Sequence, residues 1–182
     1  MPAYHILKNT DFVSLKIEPN EQDQRGKKIR CQHGSKECKA DSYVQCSISS
    51  YPEPENYLRI LDCSFKRLLK SDSPNAVRII APNEQVEAAF STCAIDNGLD
   101  FRPIQACYKN EEKVVQLDVS MYTPVDRNCV PRVEINDRPI HETRSLIEEI
   151  CKAYDGNDPN EHCAKYNIKT AVKNRKYMMR YL

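Results

Sequence analysis

The residues best equipped for chemistry lie between positions 31 and 46: Cys31, Gln32, His33, Gly34, Glu37, Cys38 and Cys46. Cysteine with histidine admits three chemistries. A thiolate can attack a disulfide, two thiols can close into a staple, or thiolates and an imidazole can hold zinc. Zinc suits this spacing poorly. Structural zinc cysteines favour separations of two to four residues, and here Cys31 and Cys38 are seven apart and Cys38 and Cys46 eight. Disulfide pairing of all three is the simpler reading, with a short helix stapled to its neighbours. No metal site and no cofactor are expected, and four glycines leave no Gly-rich phosphate loop.

The rest of the chain narrows the setting. It carries nine cysteines in 182 residues, too many for casual core use in a reducing compartment. Nine is odd, so at least one thiol is expected to be free, intermolecular or missing its mate. Met1-Pro2-Ala3-Tyr4-His5 has neither the basic start nor the apolar stretch of a signal peptide. Oxidising chemistry without a leader leads to the expectation that the true beginning lies upstream. A formal net charge of +1 gives no field for nucleic acid, and no apolar run reaches the ~20 residues of a membrane span. Glu148-Glu149 reads as a solvated helix face, and no two carboxylates are expected to sit together for acid–base work.

Several elements are needed to position the cysteines. Val13, Leu15 and Ile17 alternate with polar residues and predict a half-buried strand over 12–18. Residues 20–30 read as a polar loop and 37–47 as a short helix. Tyr57, Ile60, Leu61, Phe65, Leu68 and Leu69 form one stripe of an amphipathic helix over 53–71. Residues 76–81 are ambiguous between strand and helix. Asn83 opens a helix that Gly98 stops, and 103–117 is expected to be helical. Val133 and Ile135 alternate, Asn136-Asp137 predicts a tight hairpin turn, and Arg138-Pro139-Ile140 returns as an edge strand. A last helix runs from about Thr143 to Gly156. The stretch 164–182 holds six basic residues and no acid, and reads as a solvated, flexible tail.

The stretch 31–46 closely resembles the signature of the gamma-interferon-inducible lysosomal thiol reductase (GILT) family, Cys-Gln-His-Gly-x2-Glu-Cys-x2-Asn-x4-Cys. Every fixed position matches except the Asn, which is Asp41 here. Val130-Pro131-Arg132-Val133-Glu134-Ile135-Asn136 resembles the family's Val-Pro-x-Val-x-Val-Asn segment. Cys151, Tyr154, Gly156, Pro159 and Cys163 resemble its C-terminal end. The likeness covers about residues 8–166.

The resemblance implies an α/β, thioredoxin-like fold with a helical insertion over about 36–120, in a domain spanning 1–163. It implies protein disulfide reduction by thiol–disulfide exchange, disulfide-containing proteins or peptides as partners, and a lysosomal or secreted setting. Pro131 is expected to be cis, turning Val130 toward an extended substrate. Such an enzyme works through Cys-x-x-Cys at the start of its first helix, where the helix dipole favours a thiolate. The chain contains no Cys-x-x-Cys. It is therefore expected to lack the first strand and the start of the first helix, to leave a gap between the strands at 12–18 and 132–136, and to be inactive alone. Cys31 and Cys38 are the surrogate candidates, and residues 2–8 a candidate filler of the gap. The alternative is a non-catalytic, disulfide-stapled secreted binding protein.

Overall fold

A computed structural model describes residues 13–17, 21–23, 29–31, 34–73, 76–79, 83–121, 133–140, 146–154, 163 and 177–181. The chain divides into two compact units, Met1–Glu18 with Val125–Leu182, and Pro19–Pro124. Its class is mixed α/β.

In the first unit, β1 (Val13–Ile17) is the expected alternating strand. β6 (Val133–Ile135) and β7 (Arg138–Ile140) form the expected hairpin. Asn136 and Asp137 turn it with φ of 53° and 61°; both types tolerate this left-handed region at little cost. Pro139 sits in β7, which is an edge strand among the described residues, where a missing N–H breaks no described ladder. All three residues of β6 are buried although a strand turns alternate residues to opposite faces, so β6 is covered on both sides. Helix α6 (Leu146–Ala153) turns Leu146, Ile150 and Cys151 inward and lies against β6.

The sheet order is β1-β8-β6-β7, where β8 is Tyr177–Tyr181. β8 runs parallel to β1, Val13 opposite Tyr177 through Ile17 opposite Tyr181. It runs antiparallel to β6, Val133 opposite Tyr181 and Ile135 opposite Met179. Two expectations are corrected here. The position between β1 and β6 is occupied rather than empty, and residues 177–181 are paired strand rather than part of a solvated tail. Tyr177-Met178-Met179-Arg180-Tyr181 contains no proline or glycine, so every backbone group can enter a ladder. The basic composition around it masked that propensity. Residues 2–8, the other filler, lie outside the described residues.

The second unit is mainly helical. β2 (Glu21–Asp23) and β3 (Ile29–Cys31) pair antiparallel within what reads as a loop; three residues each are too few to show alternation. α1 (Ser35–Ser50) exceeds the expected 37–47. α2 (Pro54–Leu68) begins with proline in its first turn, where its missing N–H costs nothing. It buries Tyr57, Ile60, Leu61 and Leu68 of the expected stripe together with Leu58 and Ser64, while Phe65 and Leu69 are half-buried. The chain then extends, so Leu69 opens β4 (Leu69–Ser73), paired with β5 (Ala76–Ile79). α3 (Asn83–Asp96) ends at Gly98, φ 73°. There Leu99 N–H donates to Ala94 O (2.9 Å) and Gly98 N–H to Ile95 O (2.9 Å), a Schellman stop. Residues 103–117 divide into α4 (Arg102–Lys109) and α5 (Glu111–Met121). The break is at Asn110, whose Oδ1 accepts from Lys113 N (3.0 Å), a local bond that starts a new helix.

Tyr43 of α1 lies at the centre of this unit, fully buried. Its ring stacks on Tyr108 (4.2 Å between centroids), Phe90 (5.2 Å) and Phe101 (6.1 Å).

Candidate functional site

The signature residues occupy the junction of β3 and α1. The chain leaves β3 at Cys31 and enters α1 through Gly34, with φ 93° and ψ −164°. An L side chain avoids this conformation. A Cβ at Gly34 would meet no atom within 4 Å, so backbone geometry rather than crowding demands glycine. Gly34 N–H donates to Cys31 O (3.2 Å), and Gly34 O accepts from Glu37 N (3.1 Å) and Cys38 N (3.2 Å). These bonds fold the turn that brings Cys31 back over the first turn of the helix. Cβ vectors in a helix tilt toward its N-terminus, so Cys38 reaches back and closes a disulfide with Cys31, Cα–Cα 5.4 Å. Glu37 occupies the first turn, where negative charge is favoured. Gln32 and His33 lie outside the described residues, as do the other three histidines.

Cys46 behaves differently. It is fully buried on α1 and bonds Cys107 of α4, also buried, across 61 residues of sequence. Cys63 of α2 pairs with Cys93 of α3, and Cys151 of α6 with Cys163. Among the described residues the eight cysteines form four disulfides, and no cluster of histidine, cysteine or carboxylate is arranged to hold a metal ion. The thiolates that zinc would need at Cys31, Cys38 and Cys46 are consumed in disulfide bonds. Cys129 and the docking pair Val130-Pro131 lie outside the described residues.

The surrogate candidates Cys31 and Cys38 are thus joined to each other. Both are half-buried, whereas each of the other three disulfides contains a buried cysteine. Lys36 and Lys39 flank Cys38 in sequence. A half-buried disulfide at a helix N-terminus is more open to thiolate attack than one in the core, and the helix dipole favours the departing Cys38 thiolate.

Sequence reasoning missed a carboxyl cluster beneath this turn. Asp41, the one departure from the signature, places Oδ2 in the interior with no hydrogen-bond partner. Burial, then the charges of Glu37 and Asp118, raise its pKa to about 8. Asp118 of α5 is buried and accepts from Gln45 Nε2 (3.3 Å). Acidic residues were not expected to meet; α1 and α5 bring them together. The signal was the Asn-to-Asp change itself, since a protonated aspartate has the shape and neutrality of asparagine.

The chain is similar in sequence to known proteins. Residues 1–94 match the family model described as gamma interferon inducible lysosomal thiol reductase (GILT). The chain is 27% identical over 132 residues to the gamma-interferon-responsive lysosomal thiol protein of Arabidopsis thaliana, covering 70% of this chain and 50% of that one. It is 22% identical over 134 residues to the gamma-interferon-inducible lysosomal thiol reductase of Mus musculus, covering 74% and 50%. The chain spans about half the length of the curated relatives it matches. With the matched segment containing the Gly34 turn and the Cys31–Cys38 bridge, the chain belongs to the GILT family.

Proposed function

We propose that this chain is the scaffold of a GILT-type thiol oxidoreductase, working in protein disulfide reduction by thiol–disulfide exchange. Its fold on this reading is thioredoxin-like. The mixed sheet supports it, with a parallel pair at β1, an antiparallel hairpin at β6–β7, and a separate helical unit inserted between them. Val130-Pro131, immediately before β6, is the peptide-docking element. The partners are disulfide-containing proteins or peptides, and the compartment is lysosomal or secreted, in keeping with four disulfides. No described helix is long and apolar enough to cross a membrane.

The observation that carries the reading is the signature turn, with Gly34 in its left-handed conformation and Cys31 bridged to Cys38. Chemistry limits what these 182 residues do alone. Without Cys-x-x-Cys, the attacking thiolate and the resolving thiol one helical turn away are missing. With a dithiol donor present, the chain by itself adds nothing to the donor's own rate of insulin reduction. Fusing a strand and helix bearing Cys-x-x-Cys to Met1 raises insulin reduction at least tenfold over that background. Equal rates with and without the fused pair would overturn the reading.

The abundance of disulfides beside a missing reactive pair favours one further reading, a non-catalytic binding protein. It is told apart by the same assay: such a protein binds unfolded chains yet gains no turnover from the fused pair.

A further inference from the structure

The central place in the sheet is held by a strand that, like its neighbour β1, lies outside every disulfide loop. The four disulfides join cysteines between positions 31 and 163. Residues 164–182 contain no cysteine, so no disulfide can anchor β8. It is nonetheless paired on both sides, parallel to β1 and antiparallel to β6. Removing it would expose two unpaired strand edges at once, and such edges recruit extended chain.

The register defines what fits. The segment must run parallel to Val13–Ile17 and antiparallel to Val133–Ile135, and must lack proline. It sets Arg180 opposite Glu134 and opposite Lys16. Glu134 is a buried acid on β6; opposite charges directly across a ladder favour pairing and like charges oppose it, so the two neighbours of position 180 act against each other.

We infer that β1 and β6 form a strand-docking slot closed by the chain's own Tyr177–Tyr181, and that this segment can leave and be replaced by another extended strand of the same direction. This rests on the family reading in one respect. In a thioredoxin-like sheet the strand that leads into the reactive Cys-x-x-Cys helix takes this same place, so a strand presenting that dithiol has to displace β8. The C-terminal segment is then a plug.

The test uses the full chain with Met179→Pro, which removes one ladder donor from the middle of β8. The probe is a fluorescent synthetic peptide covering residues 174–182, with a scrambled peptide as control. The variant is expected to bind the peptide at least tenfold more tightly than the unaltered chain. Amides of 13–17 and 133–135 should lose exchange protection in the variant and regain it with peptide, while those of 35–121 keep theirs throughout.

Should the variant fail to fold, the unaltered chain serves. Labelled peptide should then enter slowly, at a rate independent of its concentration because release of β8 is limiting. Absence of peptide binding in both proteins overturns the inference. So does full protection of 13–17 in the variant without peptide, and so does a dimer of the unaltered chain in which β8 crosses to a second copy. Insulin turnover enters none of these measurements, so failure of the redox reading and failure of the slot are distinguishable.

Discussion

In residues 19–124 one disulfide ties α1 to α4 across 61 residues of sequence, one ties α2 to α3 across 30, and a third ties β3 to α1. In the sheet unit one disulfide, across 12 residues, joins α6 to Cys163. The sheet itself rests on backbone ladders, and its central strand lies beyond every staple. Long covalent loops remove chain entropy from the unfolded state. Strand pairing does nothing of the kind and must offset the ordering of each residue with local bonds and burial. The helical unit is accordingly built to persist, and the sheet unit to open and close at one strand.

The largest effect that would break this contrast is loss of the longest staple. Replacing Cys46 and Cys107 together by alanine should cost about 4 kcal/mol, read as a fall in the urea midpoint of helical signal. A loss no larger than that of a surface substitution would mean that covalent closure is not what holds the helical unit.

Asp41 sharpens the comparison, because it is a weakness inside the stapled unit. Its folded pKa of about 8 lies above the ordinary 3.8, so the folded state binds the proton more tightly than the unfolded chain. Stability from this group is complete below about pH 4, falls as pH rises toward 8, and is flat beyond. Asp41→Asn supplies the neutral group permanently. It should leave stability at pH 4 unchanged and raise it by on the order of 4 kcal/mol at pH 7, measured as the difference between urea midpoints of the two proteins at each pH. Equal differences at pH 4 and pH 8 would contradict the buried-acid account.

The Cys31–Cys38 bridge is the half-buried staple of the helical unit, and it closes the shortest loop among the described disulfides, seven residues. Its removal by double alanine substitution should cost about 2 kcal/mol, roughly half the loss at Cys46 and Cys107. In a graded series of dithiothreitol, alkylation followed by mass spectrometry should label Cys31 and Cys38 before the other three pairs. Simultaneous labelling of all four would erase the distinction between surface and core disulfides.

The smallest effect tests the sheet unit at its local best. Asn136 holds φ of 53° in the hairpin turn. Asn136→Ala should lower stability by about 1 kcal/mol through left-handed strain, seen as faster amide exchange in 133–140 with 35–121 unchanged.

How far the sequence reveals this molecule depends on whether a signal is local. The stripe of α2, the Gly98 stop and the Asn136-Asp137 turn are written in neighbouring residues, and each appears where its chemistry places it. The signature turn was legible because Gly34 and the cysteines act within eight residues. β2 and β3 were hidden because three-residue strands show no period. β8 was hidden because its five residues sit in a basic stretch and gain their structure from β1 and β6, more than 40 residues away in sequence. The Asp41–Asp118 pairing needed the meeting of α1 and α5, which no spacing encodes.

The most direct test of the central claim is residue-resolved hydrogen exchange on the unaltered chain at one pH. If the C-terminal strand holds the centre of the sheet, amides of 13–17, 133–135 and 177–181 are protected together and open together under mild denaturant, before those of 35–121. Free exchange across 177–181 while 13–17 and 133–135 stay protected would contradict it.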